Sequence, residues 1–222
     1  MVVEIWSDIA CPWCYIGKRR FEEALREFEH ADDVQVIWRS FELDPSAPDE
    51  LEGERVARLA AKYGMSVEQA CEAERRIIDT AAADGLDFRF DISRSGRTFD
   101  AHRVLHLAHD HGRGDEAKER LLRAYFTEGE LMSDHDTLVR LAVEVGLDED
   151  EVRATLGSNR YAAAVREDQR TAMEFGITAV PTFVIDRAIG VSGAQSPVAL
   201  LEFLRQGWDS HRAAPAGAVE TV

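Results

Sequence analysis

Ser7-Asp8-Ile9-Ala10-Cys11-Pro12-Trp13-Cys14-Tyr15-Ile16-Gly17 is the stretch whose reading decides the fold and the chemistry. Before it lies Val2 to Asp8, a short run rich in β-formers, and after it come Phe21, Ala24, Leu25 and Phe28 at three- and four-residue spacing. The pattern predicts strand, turn and helix, with Cys11 at the N-cap and Pro12 at the first helical position, where a missing N–H matters least. Cysteines so spaced at a helix start can bring their sulfurs within disulfide distance. Helix starts and CxxC spacing both favour the thiolate, lowering a cysteine pKa from about 8.5 into roughly the 3.5 to 7.5 range. Cys11 is therefore the expected nucleophile, and Cys14, one turn further in and less exposed, the expected resolving thiol. Trp13 offers an apolar face to a substrate or to the motif itself and adds no titratable charge, so the Cys11 pKa is expected to stay above about 4. Zinc needs about four ligands, and no second CxxC or His–Cys pair accompanies this one, so no metal is expected.

Outward from the motif, Val34, Val36 and Trp38 alternate through about Leu43, predicting a second strand before the Asp44-Pro45 and Ala47-Pro48 turn signals. Residues 49–157 carry helix punctuation instead: Ser66-x-x-Gln69, Ser133-x-x-Asp136 and Asp148-x-x-Glu151 as starts, and Gly85, Gly112 and Gly146 as ends. Four or five short helices are expected there. A helix over 159–175 leads into Thr182 to Asp186, a strand-like run that Ile189 to Val191 would join across a tight turn. Ser196-Pro197 opens a closing helix with Leu200, Leu201 and Leu204 inward, and Gly207 is expected to end it. The fold class is therefore α/β, with one small sheet built by both ends of the chain. Residues 1–48 and 158–208 form a discontinuous domain, 49–157 an all-helical insertion, and 209–222 a flexible tail.

Composition narrows the partners. The 222-residue chain carries 26 basic and 42 acidic residues, a formal net charge of -16, which repels phosphate backbones and anionic lipid. No apolar run approaches the roughly 18 to 20 residues of a spanning helix. The start, Met1-Val-Val-Glu-Ile-Trp6, lacks the basic and apolar regions of a signal peptide, so the expected compartment is the cytoplasm. Three cysteines in a reducing compartment call for a chemical rather than a structural explanation of the close pair. Cys71 lies in a predicted helix over 66–83, where Val67, Ala70, Ile77 and Ile78 can face a core, and is expected to be a buried, inert thiol. His102, His106 and His109 share one side of another predicted helix but lack companion metal ligands.

Trp6 to Arg20 resembles the active-site segment of the DsbA-like thioredoxin family, in particular its cytoplasmic FrnE-like branch. Phe41-Glu-Leu-Asp-Pro45, Ala101-His-Arg103, Ala124-Tyr-Phe126, Val180-Pro-Thr-Phe-Val-Ile185 and Ser192-Gly-Ala-Gln195 are similar to that branch in the same order, covering about residues 3 to 206. The resemblance implies a thioredoxin-like fold with a small mixed sheet, interrupted by the helical insertion. It also implies a cis Val180-Pro181 bond beside the cysteines, leaving backbone polar groups free to pair with an extended substrate segment. Gly193, Ala194 and Gln195 become candidates for substrate binding, and His102 for anchoring the insertion near the active site. Some members carry a further C-terminal cysteine pair; no cysteine follows Cys71 here, so electrons would come from another protein or a small thiol.

The favoured reading is thiol–disulfide exchange between Cys11–Cys14 and cysteines of a protein or peptide, as oxidant, reductant or isomerase, with no cofactor beyond the redox-active pair. The first alternative is a glutathione-dependent isomerase or transferase for aromatic small molecules. The related hydroxychromene-carboxylate isomerases and kappa-class glutathione transferases generally place serine at the position of Cys11 and bind glutathione. The second is a non-catalytic binding module of the same fold.

Overall fold

The computed structural model describes residues 1–213. The chain opens with β1 (Val2–Ser7), α1 (Pro12–Arg26) and β2 (Gln35–Ser40). Helices α2 (Arg55–Tyr63), α3 (Val67–Ala83), α4 (Phe99–Asp110), α5 (Gly114–Phe126), α6 (His135–Glu144) and α7 (Glu149–Leu156) follow. Helix α8 (Ala162–Glu174), β3 (Thr182–Ile185), β4 (Ile189–Ser192) and α9 (Pro197–Ala213) close the described chain. The sheet has four strands in the order β2-β1-β3-β4. β1 runs parallel to β2, with Ile5 opposite Trp38, and antiparallel to β3, with Ile5 opposite Phe183. This is the expected thioredoxin-like mixed sheet, with the long helical insertion between β2 and β3.

The alternating side chains of β1 explain its central place. Val3 and Ile5 join Phe21 and Ala24 of α1, Phe183 and Ile185 of β3, and Leu200 and Leu204 of α9 in one buried cluster. On the opposite face Glu4 is buried too, bonded by Arg39 at 2.6 Å and Arg187 at 2.9 Å. Burial pushes its carboxyl up, but these guanidiniums outweigh it and leave the pKa lowered. Tyr15 and Ile16, from another side of α1, join Leu105, Leu121 and Phe126 of the insertion in a second cluster. The insertion therefore shares its core with the helix that carries the cysteines.

The insertion holds six helices, α2 to α7, rather than four or five. α2, α4 and α5 begin at Glu54, Thr98 and Arg113, none of which makes a side-chain capping bond, so their starts leave no signature in the sequence. The expected capping box at Ser66 and Gln69 is present in both directions. The start expected at Ser133 lies one residue later, because the Asp134 carboxylate accepts from Thr137 N–H while Ser133 donates to Asp49 O. Val67 is exposed and Cys71 only half-buried, contrary to expectation. α3 packs against α2, and Cys71 lines a cavity of about 550 Å³.

Gly207 does not end the last helix, which continues to Ala213, so residues 209–213 are helix rather than tail. The rest of the expected tail lies outside the described residues. The glycine serves close approach instead, since a Cβ there would overlap Ile185 Cδ1 and stand 2.9 Å from Cγ2. Among the described residues, no helix is long and apolar enough to cross a membrane. Gly207→Val should therefore lower stability by about 1–3 kcal/mol through overpacking. A lower urea midpoint at unchanged slope would show this; an unshifted midpoint would mean that Ile185 yields without penalty.

Candidate active site

The chain leaves β1 at Ser7 and turns into α1 with Cys11 as N-cap (φ −91°, ψ 114°) and Pro12 in the first turn. Cys14 N–H donates to Cys11 O at 3.0 Å, and the Cys11 side chain makes no capping bond to a first-turn N–H. Both cysteines are free thiols, Cys11 4% exposed and Cys14 fully buried. Trp13, between them in the chain, is 41% exposed.

Across from the pair, Val180-Pro181 is cis, and the Cys11 thiol donates to Val180 O at 3.5 Å. Gly17 lets α1 pack against this bend, since a Cβ at that position would stand 2.7 Å from Pro181 Cγ. The segment expected to contact substrate ties the bend down. Gly193 N–H donates to Pro181 O at 2.7 Å and Arg20 donates to Ala194 O at 2.8 Å. Gln195 is exposed and folds back on Ser192 O. Gly193 and Ala194 thus use these backbone groups within the protein.

Beneath the cysteines lies a buried polar layer. The Asp8 carboxylate accepts from Leu43 N–H at 2.8 Å and Ala10 N–H at 3.3 Å, and His102 Nε2 stands 3.4 Å from it. Burial raises the Asp8 pKa, but the bonds to His102 and Leu43 dominate and leave it lowered. His102 is fully buried, and this contact joins the insertion to the turn that precedes Cys11. His106 is half-buried against Ser40 and Asp168, and His109 is exposed, so the three histidines do not converge. Glu42, near Asp8 and His102, has its carboxyl raised by burial while it accepts from Gln169. Among the described residues, no group of histidine, cysteine, aspartate or glutamate side chains could hold a metal ion.

Lys118 of α5 is fully buried, donating to Ser7 O at 3.4 Å, with its ammonium 5.4 Å from the centre of the Trp38 ring. This cation adds to the electrostatics of the cysteine pair. The hydrogen bond with Cys14 and then burial push the Cys11 thiol well above the ordinary value. Burial opposes ionisation of Cys14, but the hydrogen bond with Cys11, the Lys118 charge and the Ser7 side chain outweigh it and lower its pKa. A helix start alone carries no information about a charge supplied by the insertion. Lys118 nonetheless had a signal: it sits three, four and seven residues before Leu121, Leu122 and Tyr125, on the apolar stripe of its helix.

The DSBA-like thioredoxin domain model matches residues 2–205. The Bacillus subtilis (strain 168) uncharacterized protein YwbO is 32% identical over 185 residues, 82% of this chain and 86% of its own. The crystal structure of a probable DsbA oxidoreductase from Streptomyces coelicolor superposes with a TM-score of 0.90 at 46% identity, covering 100% of this chain and 94% of that one. Cytosolic disulfide reductase DsbM from Pseudomonas aeruginosa, solved with GSH, shares the fold at a TM-score of 0.66 and 18% identity, over 94% of this chain and 100% of its own. With the cysteines at the head of α1 and the cis proline facing them, the match across residues 2–205 makes this chain a member of the DSBA-like thioredoxin family.

Proposed function

We propose that the protein is a cytoplasmic thiol–disulfide oxidoreductase whose reacting groups are Cys11 and Cys14. The observation that carries this reading is the contact of the Cys11 thiol with Val180 O beside the cis Pro181, because it sets the sulfur at the backbone edge where an extended peptide would lie. In the oxidant direction, a substrate thiolate attacks Cys11 Sγ of the enzyme disulfide. A new S–S bond forms, the Cys11–Cys14 bond breaks, and Cys14 leaves as a thiolate in the environment that lowers its pKa. A second substrate thiolate then attacks the substrate sulfur, forming the substrate disulfide and releasing Cys11. In the reductant direction the steps reverse: the Cys11 thiolate attacks a substrate disulfide, and Cys14 resolves the mixed disulfide.

Trp13 supplies an exposed apolar surface beside the pair, suited to a cysteine-bearing peptide or protein. Small thiols, glutathione among them, serve as electron donors or acceptors in this reading, and no other cofactor takes part. Two cavities, of about 550 and 430 Å³, are lined by α2–α3 residues and by the β2 to α5 region, and neither includes Cys11, Cys14 or Pro181.

Insulin-disulfide reduction by dithiothreitol is the first test. Wild type should accelerate it, Cys11→Ser should abolish the acceleration, and Cys14→Ser should accumulate a mixed disulfide at Cys11. A wild type that is inert toward insulin but binds glutathione and turns over an aromatic substrate would falsify the exchange reading. His102→Ala should lower the insulin rate about tenfold, the effect of ~1.4 kcal/mol in the barrier, with an unchanged far-ultraviolet spectrum. An unaltered rate would remove His102 from the positioning of the site.

A further inference from the structure

The cavity of about 550 Å³ lies between α2, α3 and the segment 88–95. That volume falls in the ~300–1,000 Å³ range of small-molecule sites. One wall is apolar and fixed by the insertion core: Phe88 stacks on Phe126 with ring centres 4.6 Å apart, Phe90 lies 5.7 Å from Phe88, and Ile78 of α3 packs on the same cluster. α2 adds Val56. Its apolar residues, Val56, Leu59, Ala60 and Tyr63, recur at the spacing of a helix that buries one face, yet only Ala60 is buried and Tyr63 is 62% exposed. α2 packs chiefly on α3, and much of that stripe finds no core to cover it.

The wall carries charge as well, and its cations are not all matched. Glu74 is bonded by Arg55 at 2.8 Å, Glu50 by Arg94 at 2.8 Å and Asp91 by Arg89 at 3.0 Å, which leaves the exposed Glu54. Arg58 and Arg75 have no acidic partner among the described residues. Arg58 turns Nη1 to the carbonyls of Leu51, Glu52 and Gly53, and its other two nitrogens are unclaimed there. The Ser93 hydroxyl, on the same wall, is buried without a hydrogen-bond partner, where buried polar groups are ordinarily paired. In a chain of net charge -16, two unmatched guanidiniums beside an apolar wall select a ligand that is itself anionic at one end and apolar at the other.

We propose that this cavity is a binding site for a small aliphatic carboxylate, its hydrocarbon chain on Phe88, Phe90 and Ile78 and its carboxylate at Arg58 and Arg75. A guanidinium offers a carboxylate two parallel N–H bonds, and Ser93 can donate a further one. The ring of Phe90 is covered by the Arg55 guanidinium at 4.3 Å and Phe88 is stacked on Phe126, so a flexible chain suits the wall better than a flat ring. The site excludes Cys11 and Cys14, and the inference stands apart from the exchange reading.

The test uses the full chain with octanoate as the probe, against 1-octanol, which keeps the chain, and acetate, which keeps the charge. Calorimetry should show one saturable octanoate site and no comparable binding of the other two. Octanoate should also slow the alkylation by iodoacetamide of Cys71, which is half-buried on the cavity wall, read by mass spectrometry of its peptide. Arg58→Gln and Arg75→Gln should each weaken binding about tenfold, the loss of one charge-assisted contact. Arg75 is exposed, so its variant serves if Arg58→Gln, which frees the carbonyls before α2, does not fold. Absence of saturable octanoate binding overturns the inference, as does octanol binding equally well. Octanoate bound without slowing Cys71, or undiminished by either substitution, would lie elsewhere and overturn the site.

Discussion

Three sides of α1 are claimed by three different sets of neighbours, and that constraint places everything else at the site. Phe21 and Ala24 are held by the sheet and α9, Tyr15 and Ile16 by the insertion, and Cys11 and Cys14 by Trp6, Ile177, Val180 and Val184. Burying each large apolar side chain contributes roughly 1.5–3 kcal/mol, so turning the helix would forfeit contacts in more than one cluster at once. The stacked Phe21–Phe183 pair, with ring centres 5.3 Å apart, links α1 directly to β3, the strand that follows Pro181. Helix and cis proline are thereby fixed in relation to each other, and Gly17 permits the close contact between them.

The polar layer under the cysteines follows from the same packing. Once β2 lies at the sheet edge, the backbone N–H groups at its end need partners. Asp168 accepts from Ser40 N–H and Asp8 from Leu43 N–H, both at 2.8 Å. These carboxylates pull the chain out of the sheet after Ser40, which is why β2 is shorter than the alternation through Leu43 implies. Asp8 also meets His102, so a single side chain fixes the end of β2, the turn before Cys11 and the insertion.

Local signals carried most of the fold. The N-cap cysteine with Pro12 in the first turn, the Ser66–Gln69 box and the glycines at 85, 112 and 146 with positive φ each act within a few residues, and each is visible in the chain. What stayed hidden depends on distant partners. Gly207 resembles a helix stop unless Ile185 is known to lie against it, and Cys71 resembles a core residue unless α3 is known to lean on α2 there. The cysteines and the cis proline were legible from motif and resemblance. The electrostatics between them were not, since Lys118 stands more than a hundred residues from Cys14 in sequence.

That separation bears on what the helical insertion contributes. A thioredoxin-like sheet with α1 and the Pro181 bend already supplies two thiols and a peptide edge, but it does not supply Lys118. The cation comes from α5, whose Leu121, Leu122 and Tyr125 anchor it in the insertion core. Any interaction that favours the Cys14 thiolate over the disulfide stabilises the reduced site and improves Cys14 as a leaving group, because a thiol of lower pKa leaves faster. The insertion thus contributes buried polar groups, His102 against Asp8 and Lys118 on Ser7 O, while the thioredoxin-like part contributes the thiols and the peptide edge.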